Sequence, residues 1–273
     1  MDMDRSVVLA LVVGILQGVF EWLPISSEGN ITLYLTVVEN VSPAVAVQLS
    51  LFLHAGTALS ALAYYRDEVI ELLGEIPNWR PDGAFDRERS ELTFLVVATL
   101  ATAAVGLPAL LVLEELVGQL AGGAFVALIG GLLVVTGLVQ RGVEDRGGRR
   151  ETPDLFDAVL VGGLQGLAIL PGISRSGTTA SALLLRGHDG PSSFRLSFLL
   201  SIPAALGAGV VTTLSDGIPA ISPAMAAVAL ATSAVVGYLT IDALMRLVER
   251  VSFWLVCVGL GSLAVVGGGV FLL

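Results

Sequence analysis

The sequence predicts an all-α, polytopic membrane protein, on three observations. Of its 273 residues 55% are hydrophobic and only 14% are charged, with a mean hydropathy of +0.86. A water-facing domain carries about 25% charged residues, so most of this surface has to face lipid. Apolar stretches recur near the ~20-residue length that a bilayer core requires. Two of them are interrupted midway by Pro, Gly and Ser. Irregular backbone at membrane depth is tolerated only where protein or a water-filled cavity satisfies it, so the two breaks imply a shared polar site.

Hydropathy and chain breakers divide the sequence in order. Val7–Leu23 is apolar, Pro24–Asn30 breaks it, and Ile31–Val38 resumes. Ala44–Tyr65, Leu92–Leu113 and Gly122–Val139 read as full spans. Leu155–Leu170 is apolar, Pro171–Thr179 breaks it, and Ala180–Leu185 resumes. Leu196–Leu214, Pro223–Leu244 and Phe253–Leu273 complete a set of six transmembrane helices. Arg66–Ser90 and Arg141–Asp154 mix Arg with acids and turn residues and read as solvated connectors. Met1–Arg5 lacks the positive n-region of a secretory signal, so the N-terminus is expected to be retained.

The two halves share letters as well as order. Leu16-Gln17-Gly18 recurs as Leu164-Gln165-Gly166, and Leu23-Pro24 as Leu170-Pro171. Leu49-Ser50-Leu51-Phe52-Leu53 resembles Leu196-Ser197-Phe198-Leu199-Leu200. The expectation is a single membrane domain made of two repeats, one over about 5–140 and one over about 154–273. If each broken segment is re-entrant, an odd number of spans per half inverts the second repeat relative to the first. That layout puts Arg66, Arg80, Arg87, Arg89, Arg141, Arg146, Arg149, Arg150, Arg186, Arg195, Arg246 and Arg250 on one side and Arg5 alone on the other. The positive-inside rule makes the Arg-rich side cytoplasmic and leaves both termini outside.

Charge narrows the partners. The net charge is −10 and the chain has no lysine. A nucleic-acid partner is excluded, because neutralising phosphates takes clustered positive charge. Two histidines are too few for a His-based metal cluster, and Cys257, in an apolar run, reads as a small packed hydrophobe. Trp22 and Trp254, near span ends, read as interfacial anchors.

Chemistry concentrates at the breaks, where an ionisable group in the membrane by default marks function. Arg175 lies between Ser174 and Ser176, with Gly172, Thr178 and Thr179 close by. Its planar fork of donors suits phosphate oxygens. A helix beginning near Thr178 would point its positive end at the same place. This reads as an oxyanion cradle; the alternative is an Arg paired with Glu21 to hold two helices together. Gln17 and Glu21, four apart, share one helix face that leads into Ser26 and Ser27. A carboxylate beside a serine can act as a general base, or it can hold a divalent ion. Gln17 alternatively makes an interhelical hydrogen bond, and Asn30 caps a helix beginning at Ile31. Glu28 and His54 are further candidates.

Two stretches carry a resemblance. Leu16-Gln17-Gly18-Val19-Phe20-Glu21-Trp22-Leu23-Pro24-Ile25-Ser26-Ser27-Glu28-Gly29-Asn30 resembles the acidic helix and serine-rich break of the undecaprenyl pyrophosphate phosphatases of the BacA-like, integral-membrane type. Leu170-Pro171-Gly172-Ile173-Ser174-Arg175-Ser176-Gly177-Thr178-Thr179 is similar to that family's PGxSRSxxT signature, and the resemblance spans nearly the whole chain. It implies hydrolysis of a polyprenyl diphosphate to the monophosphate carrier lipid, for carrier recycling in envelope glycan synthesis. It also implies a divalent cation (Mg2+ or Ca2+) and a site opening outward from the cell membrane; Glu21 is the expected ligand of that ion, and a homodimer is one assembly to test. By the same resemblance Glu21, Ser27 and Arg175 are the catalytic residues. Gln17, Ser174, Ser176 and Thr179 then match substrate-binding positions, and Ser26, Asn30, Gly172 and Thr178 join them as candidates from their place in the two breaks.

Two positions depart from the pattern: Asn30 stands where many members carry His, and Glu28 where members usually carry a small residue. The base then falls to Glu21, to Glu28, or to His54 reaching the cavity. The acid excess and absence of lysine point to an archaeal branch. A lipid-phosphate flippase, with the same cradle and no nucleophile, is the rival reading, and a catalytically dead binding protein is a third.

Overall fold

The computed structural model describes residues 3–120, 122–143, 148–216, 221–248 and 250–270; both chain ends and Arg146, assigned above to sides of the membrane, lie outside them. Among the described residues the protein is all-helical, apart from an isolated bridge between Arg150 and His188. The first half contains α1 (Met3–Phe20), α2 (Ser27–Leu33) running into a π-helical turn (Tyr34–Val38), α3 (Pro43–Tyr64), α4 (Arg66–Glu75), α5 (Ser90–Gln119) and α6 (Gly122–Arg141). The second contains α7 (Leu155–Leu167), α8 (Arg175–Leu185), α9 (Gly190–Asp216), α10 (Pro223–Val248) and α11 (Trp254–Val270).

Helices α3, α5, α6, α9 and α10 are each long and apolar enough to cross a membrane. Helix α11, the described part of the expected sixth span, is apolar but has 17 residues. The chain is a multi-pass membrane protein. Its outer faces are aliphatic: Leu100, Leu111, Leu239 and Leu263 are all more than 60% exposed, a surface that only lipid can cover at low cost.

In lipid the packing between helices has little hydrophobic drive and depends on close approach of backbones. Three long pairs use glycine for this, and each joins one half of the chain to the other. A Cβ added at Gly14 or Gly18 of α1 would lie within 2.8 Å of α10 backbone. Gly162 of α7 leaves no room beside the Ala98 carbonyl of α5, and Gly130 of α6 none beside the Gly261 carbonyl of α11. Helix α3 packs against α9 at the centre. The halves are thus interleaved, and the two breaks face each other in the middle of the bundle.

Several expectations shift. Helix α2 begins at Ser27, not Ile31, and α8 at Arg175, not near Thr178, because Ser26 and Ser174 take the capping positions. Each cap hydroxyl accepts the amide three residues on, Gly29 and Gly177 respectively, so the helices start as soon as a serine can satisfy a free N–H. The Arg66–Ser90 connector is partly ordered as α4, which lays Leu72 inward with acids exposed around it. Trp22 is no interfacial anchor: it is 0% exposed, donates to the Gly237 carbonyl at 3.1 Å, and meets Phe198 edge-on. Trp254 packs under the Arg141 guanidinium, 4.6 Å away.

Candidate active site

The site is built from the backbone upward. Helix α1 stops at Phe20, and the chain turns through Glu21–Ile25 into α2. Ser26 adopts a left-handed conformation, φ 61°, uncommon for a residue with a side chain. Two accepted hydrogen bonds hold it there, from the Gly29 amide at 3.2 Å and the Gly172 amide at 3.1 Å. The second joins the two breaks directly. Gly172, at φ 104°, needs the freedom of glycine, and its carbonyl accepts from Thr136 at 3.0 Å while that hydroxyl accepts the Ser174 amide. Gly29 lies so close that a Cβ there would be 2.6 Å from the Gly172 nitrogen. Ser176 donates to the Leu23 carbonyl, and Gln140 and Cys257 both donate to the Pro24 carbonyl. The Leu23, Pro24 and Gly172 carbonyls freed by the broken helices each accept a bond from the opposite half, as low-dielectric surroundings demand.

On this scaffold four charged or ionisable side chains converge, with Gln17 and Ser27 beside them. Glu21 is 6% exposed and accepts at one carboxylate oxygen from Gln17 (2.9 Å) and the Ser27 hydroxyl (2.9 Å). Its other oxygen accepts from Arg175, across 154 positions of sequence. His54 places Nε2 3.4 Å from the Glu21 carboxylate and Nδ1 2.9 Å from the Ser50 carbonyl. Arg175 also reaches the Ser197 carbonyl and lies 5.7 Å over the Phe198 ring. Glu28, 5% exposed, has no hydrogen-bond or ion-pair partner among the described residues, and its Oε1 is fully buried.

These groups line a cavity of about 230 Å³. Glu21, Glu28, His54 and Arg175 form its polar end; Leu51, Leu107, Leu110, Ile169 and Val211 line its length, with Gly106, Ala204 and Gly207 keeping it open. Leu107 at the rim is half exposed on the aliphatic outer surface. A polar recess of about 20 Å³ shares the four charged or ionisable side chains and adds Ser26, Ser27, Ser174 and Ser176. That is room for about one water-sized group.

The structure thus brings together Glu21, Ser27, Arg175, Gln17, Ser26, Ser174, Ser176, Glu28 and His54. It places four others elsewhere. Asn30 spends its amide on the Ile25 and Ser26 carbonyls, 2.6 and 3.0 Å away, and so staples the loop instead of capping a helix at Ile31. Thr179 donates to the Arg175 carbonyl and bonds Ser197 at 2.6 Å, while Gly172 and Thr178 are not among the residues lining the cavity. Sequence reasoning passed over Thr136, Gln140 and Ser197. Only Ser197 carried a signal, the repeat of Leu49–Leu53 at Leu196–Leu200. Its bond to Thr179 mirrors that of Ser50 to Thr32 at 3.3 Å.

A divalent cation meets a mixed donor set. Both oxygens of Glu21, the carboxylate expected to hold it, are taken by protein donors, whereas Glu28 offers an unpartnered one. The described residues contain no group of three or more His, Cys, Asp and Glu able to hold a metal. This suits an ion shared between one or two carboxylates and a ligand's phosphates, not an all-protein cage.

A model of the family described as bacitracin resistance protein BacA matches residues 10–263. Among similar relatives, a protein named undecaprenyl-diphosphatase from Haloarcula marismortui is 61% identical over 267 residues, 97% of this chain and 98% of that one. One of the same name from Methanococcoides burtonii is 40% identical over 263 residues, covering 94% and 96%. Another, from Pyrobaculum aerophilum, is 39% identical over 272 residues, covering 97% and 98%. These relatives are archaeal, in line with the composition.

Proposed function

This chain belongs to the family of the bacitracin resistance protein BacA, and we propose that it hydrolyses a polyprenyl diphosphate to the monophosphate carrier lipid and phosphate. The observation that carries this reading is the Ser27–Glu21–Arg175 relay at the polar end of an otherwise apolar cavity. An amphiphile with an anionic head and a long hydrocarbon tail fits both ends at once. The tail lies along Leu107, Leu110 and Val211 and leaves through the rim into lipid.

Ser27 is the nucleophile and Glu21 its base, because the hydroxyl proton already points at the carboxylate. The serine oxygen bonds to the terminal phosphorus and the bridging P–O bond breaks. The serine proton passes to Glu21, and the lipid monophosphate departs. Water then cleaves the seryl phosphate, releasing phosphate and restoring the hydroxyl. Gln17 and Arg175 fix the Glu21 carboxylate, and Arg175 faces the charge that develops on the phosphoryl oxygens. We also propose a divalent cation as cofactor. Glu28, with Glu21 beside it, is the group present to hold it, and it supplies positive charge against the phosphates.

Six spans with two re-entrant segments in inverted repeats, Arg-rich loops in the cytoplasm and a site open to the outer face complete the proposal. The interleaved pairs α1–α10 and α7–α5 support the repeat. The ion pairs Arg87–Glu151, Arg195–Glu68 and Arg195–Glu91 gather Arg-rich segments on one face and support the layout. The test is phosphate release from a C55 and a short-chain prenyl diphosphate by purified protein in detergent. Wild-type protein turns over, and Ser27→Ala falls by about 100-fold or more. Binding without any release, in the absence of a membrane gradient, overturns the hydrolytic reading.

A further inference from the structure

Glu28 is the site carboxylate that has no hydrogen-bond or ion-pair partner among the described residues. Glu21 is met by Arg175, Gln17, Ser27 and His54; Glu28 shares the same recess and is met by none of them. A buried, unpaired carboxylate is costly unless something neutralises it. Arg175 cannot, because it is engaged by Glu21 and the Ser197 carbonyl. A diphosphate entering this recess meets two carboxylates and one guanidinium. The recess therefore offers no free positive charge to the polyanion that the site is read to bind.

Resting on the lipid-diphosphate reading, we infer that Glu28 is the docking point for a divalent cation that arrives on the diphosphate, so that head group and cation bind as one unit. The cation then lies between Glu28 and the phosphate oxygens. Glu28 gains the partner that the described residues do not supply, and the diphosphate gains a positive charge beside it. A preformed cage is unnecessary, which accords with the lack of a three-ligand cluster among the described residues. Hard divalent ions are commonly held this way, by one or two carboxylates plus substrate phosphates.

The consequence is a linkage between cation and head group that runs through one residue. The probe is a short-chain prenyl methylenediphosphonate, which cannot be hydrolysed, titrated into the full-length protein in detergent with and without Mn2+. Wild-type protein binds it about tenfold or more tightly with Mn2+, and the analogue tightens Mn2+ binding by the same factor. In Glu28→Gln the Mn2+ enhancement disappears. Glu28→Asp keeps the charge on a shorter arm and retains a reduced enhancement, which guards against a folding defect in the amide. An unchanged enhancement in either variant overturns the inference, as does a wild type that ignores Mn2+. Since the analogue is inert, none of these outcomes depends on hydrolysis. Failure of the hydrolytic reading shows separately, as absent phosphate release.

Discussion

Arg175 holds both of the roles between which its sequence context left a choice. It pairs with Glu21 across the breaks, and it lines the cavity where a phosphate would sit. Its planar fork allows this: one terminal nitrogen serves Glu21 and the other the Ser197 carbonyl. A lysine carries the charge but cannot span both acceptors. Arg175→Lys is therefore expected to lower kcat/KM for phosphate release about 100-fold or more, with folding intact. Asn30, where many members of the family carry His, has become a loop staple with its amide on two carbonyls. Glu21, Glu28 and His54, the three alternatives to it, all line the cavity.

At the scale of elements, the site depends on how closely two broken helices approach. Gly29 at the start of α2 and Gly172 before α8 touch backbone to backbone. A methyl at Gly29 has no flexible side chain to displace, so the two breaks must separate. Displacement of reacting groups by about 1 Å is worth roughly 100-fold in rate. Gly29→Ala should lose activity on that order while circular dichroism shows unchanged helix content, since the added methyl crowds the Gly172 backbone and the Ser26 hydroxyl but none of the long helices. A loss of helix content along with activity would instead mean that the contact holds the fold. Prolines inside α5 and α9, Pro108 and Pro203, occur beside the cavity, where each removes one helical hydrogen bond and loosens the wall.

For the molecule as a whole, the loop face is locked by charge. Asp157, buried at the start of α7, accepts from Arg186 (2.6 Å) and His188 (3.1 Å) and pairs with Arg150. Burial pushes its carboxyl up, but the hydrogen bonds from His188, Arg186 and the Asp154 amide, with the Arg150 charge, outweigh it and hold it well below the usual range. Its folded pKa lies under the unfolded one, so this stabilisation is complete above about pH 4 and is lost as pH falls through the folded value. Asp157→Asn should cost about 3 kcal/mol at pH 7, read as a lower Tm in detergent. The gap to wild type should narrow below about pH 4. Orientation has its own check. A cysteine placed at Arg80 should react with an impermeant thiol reagent only from the cytoplasmic side, with the buried Cys257 silent; labelling from outside would invert the layout.

Hydropathy, breaks and repeated letters are local properties, and the sequence by itself determined what depends on them. They decide that the chain is helical and membrane-embedded, that Pro24–Asn30 and Pro171–Thr179 interrupt it, and that Glu21, Ser27 and Arg175 are the residues to examine. Boundaries set by single side-chain bonds were less legible: α2 and α8 each start earlier because a serine hydroxyl meets one amide. Contacts between distant residues could not be read locally at all. The Glu21–Arg175 pair spans 154 positions, Trp22 finds its acceptor on α10, and Asn30 turns away into its own loop. Only the tertiary structure decided these, because low-dielectric surroundings force each buried polar group to find a partner wherever the fold offers one. It also left Glu28, among the described residues, as the site carboxylate without a partner.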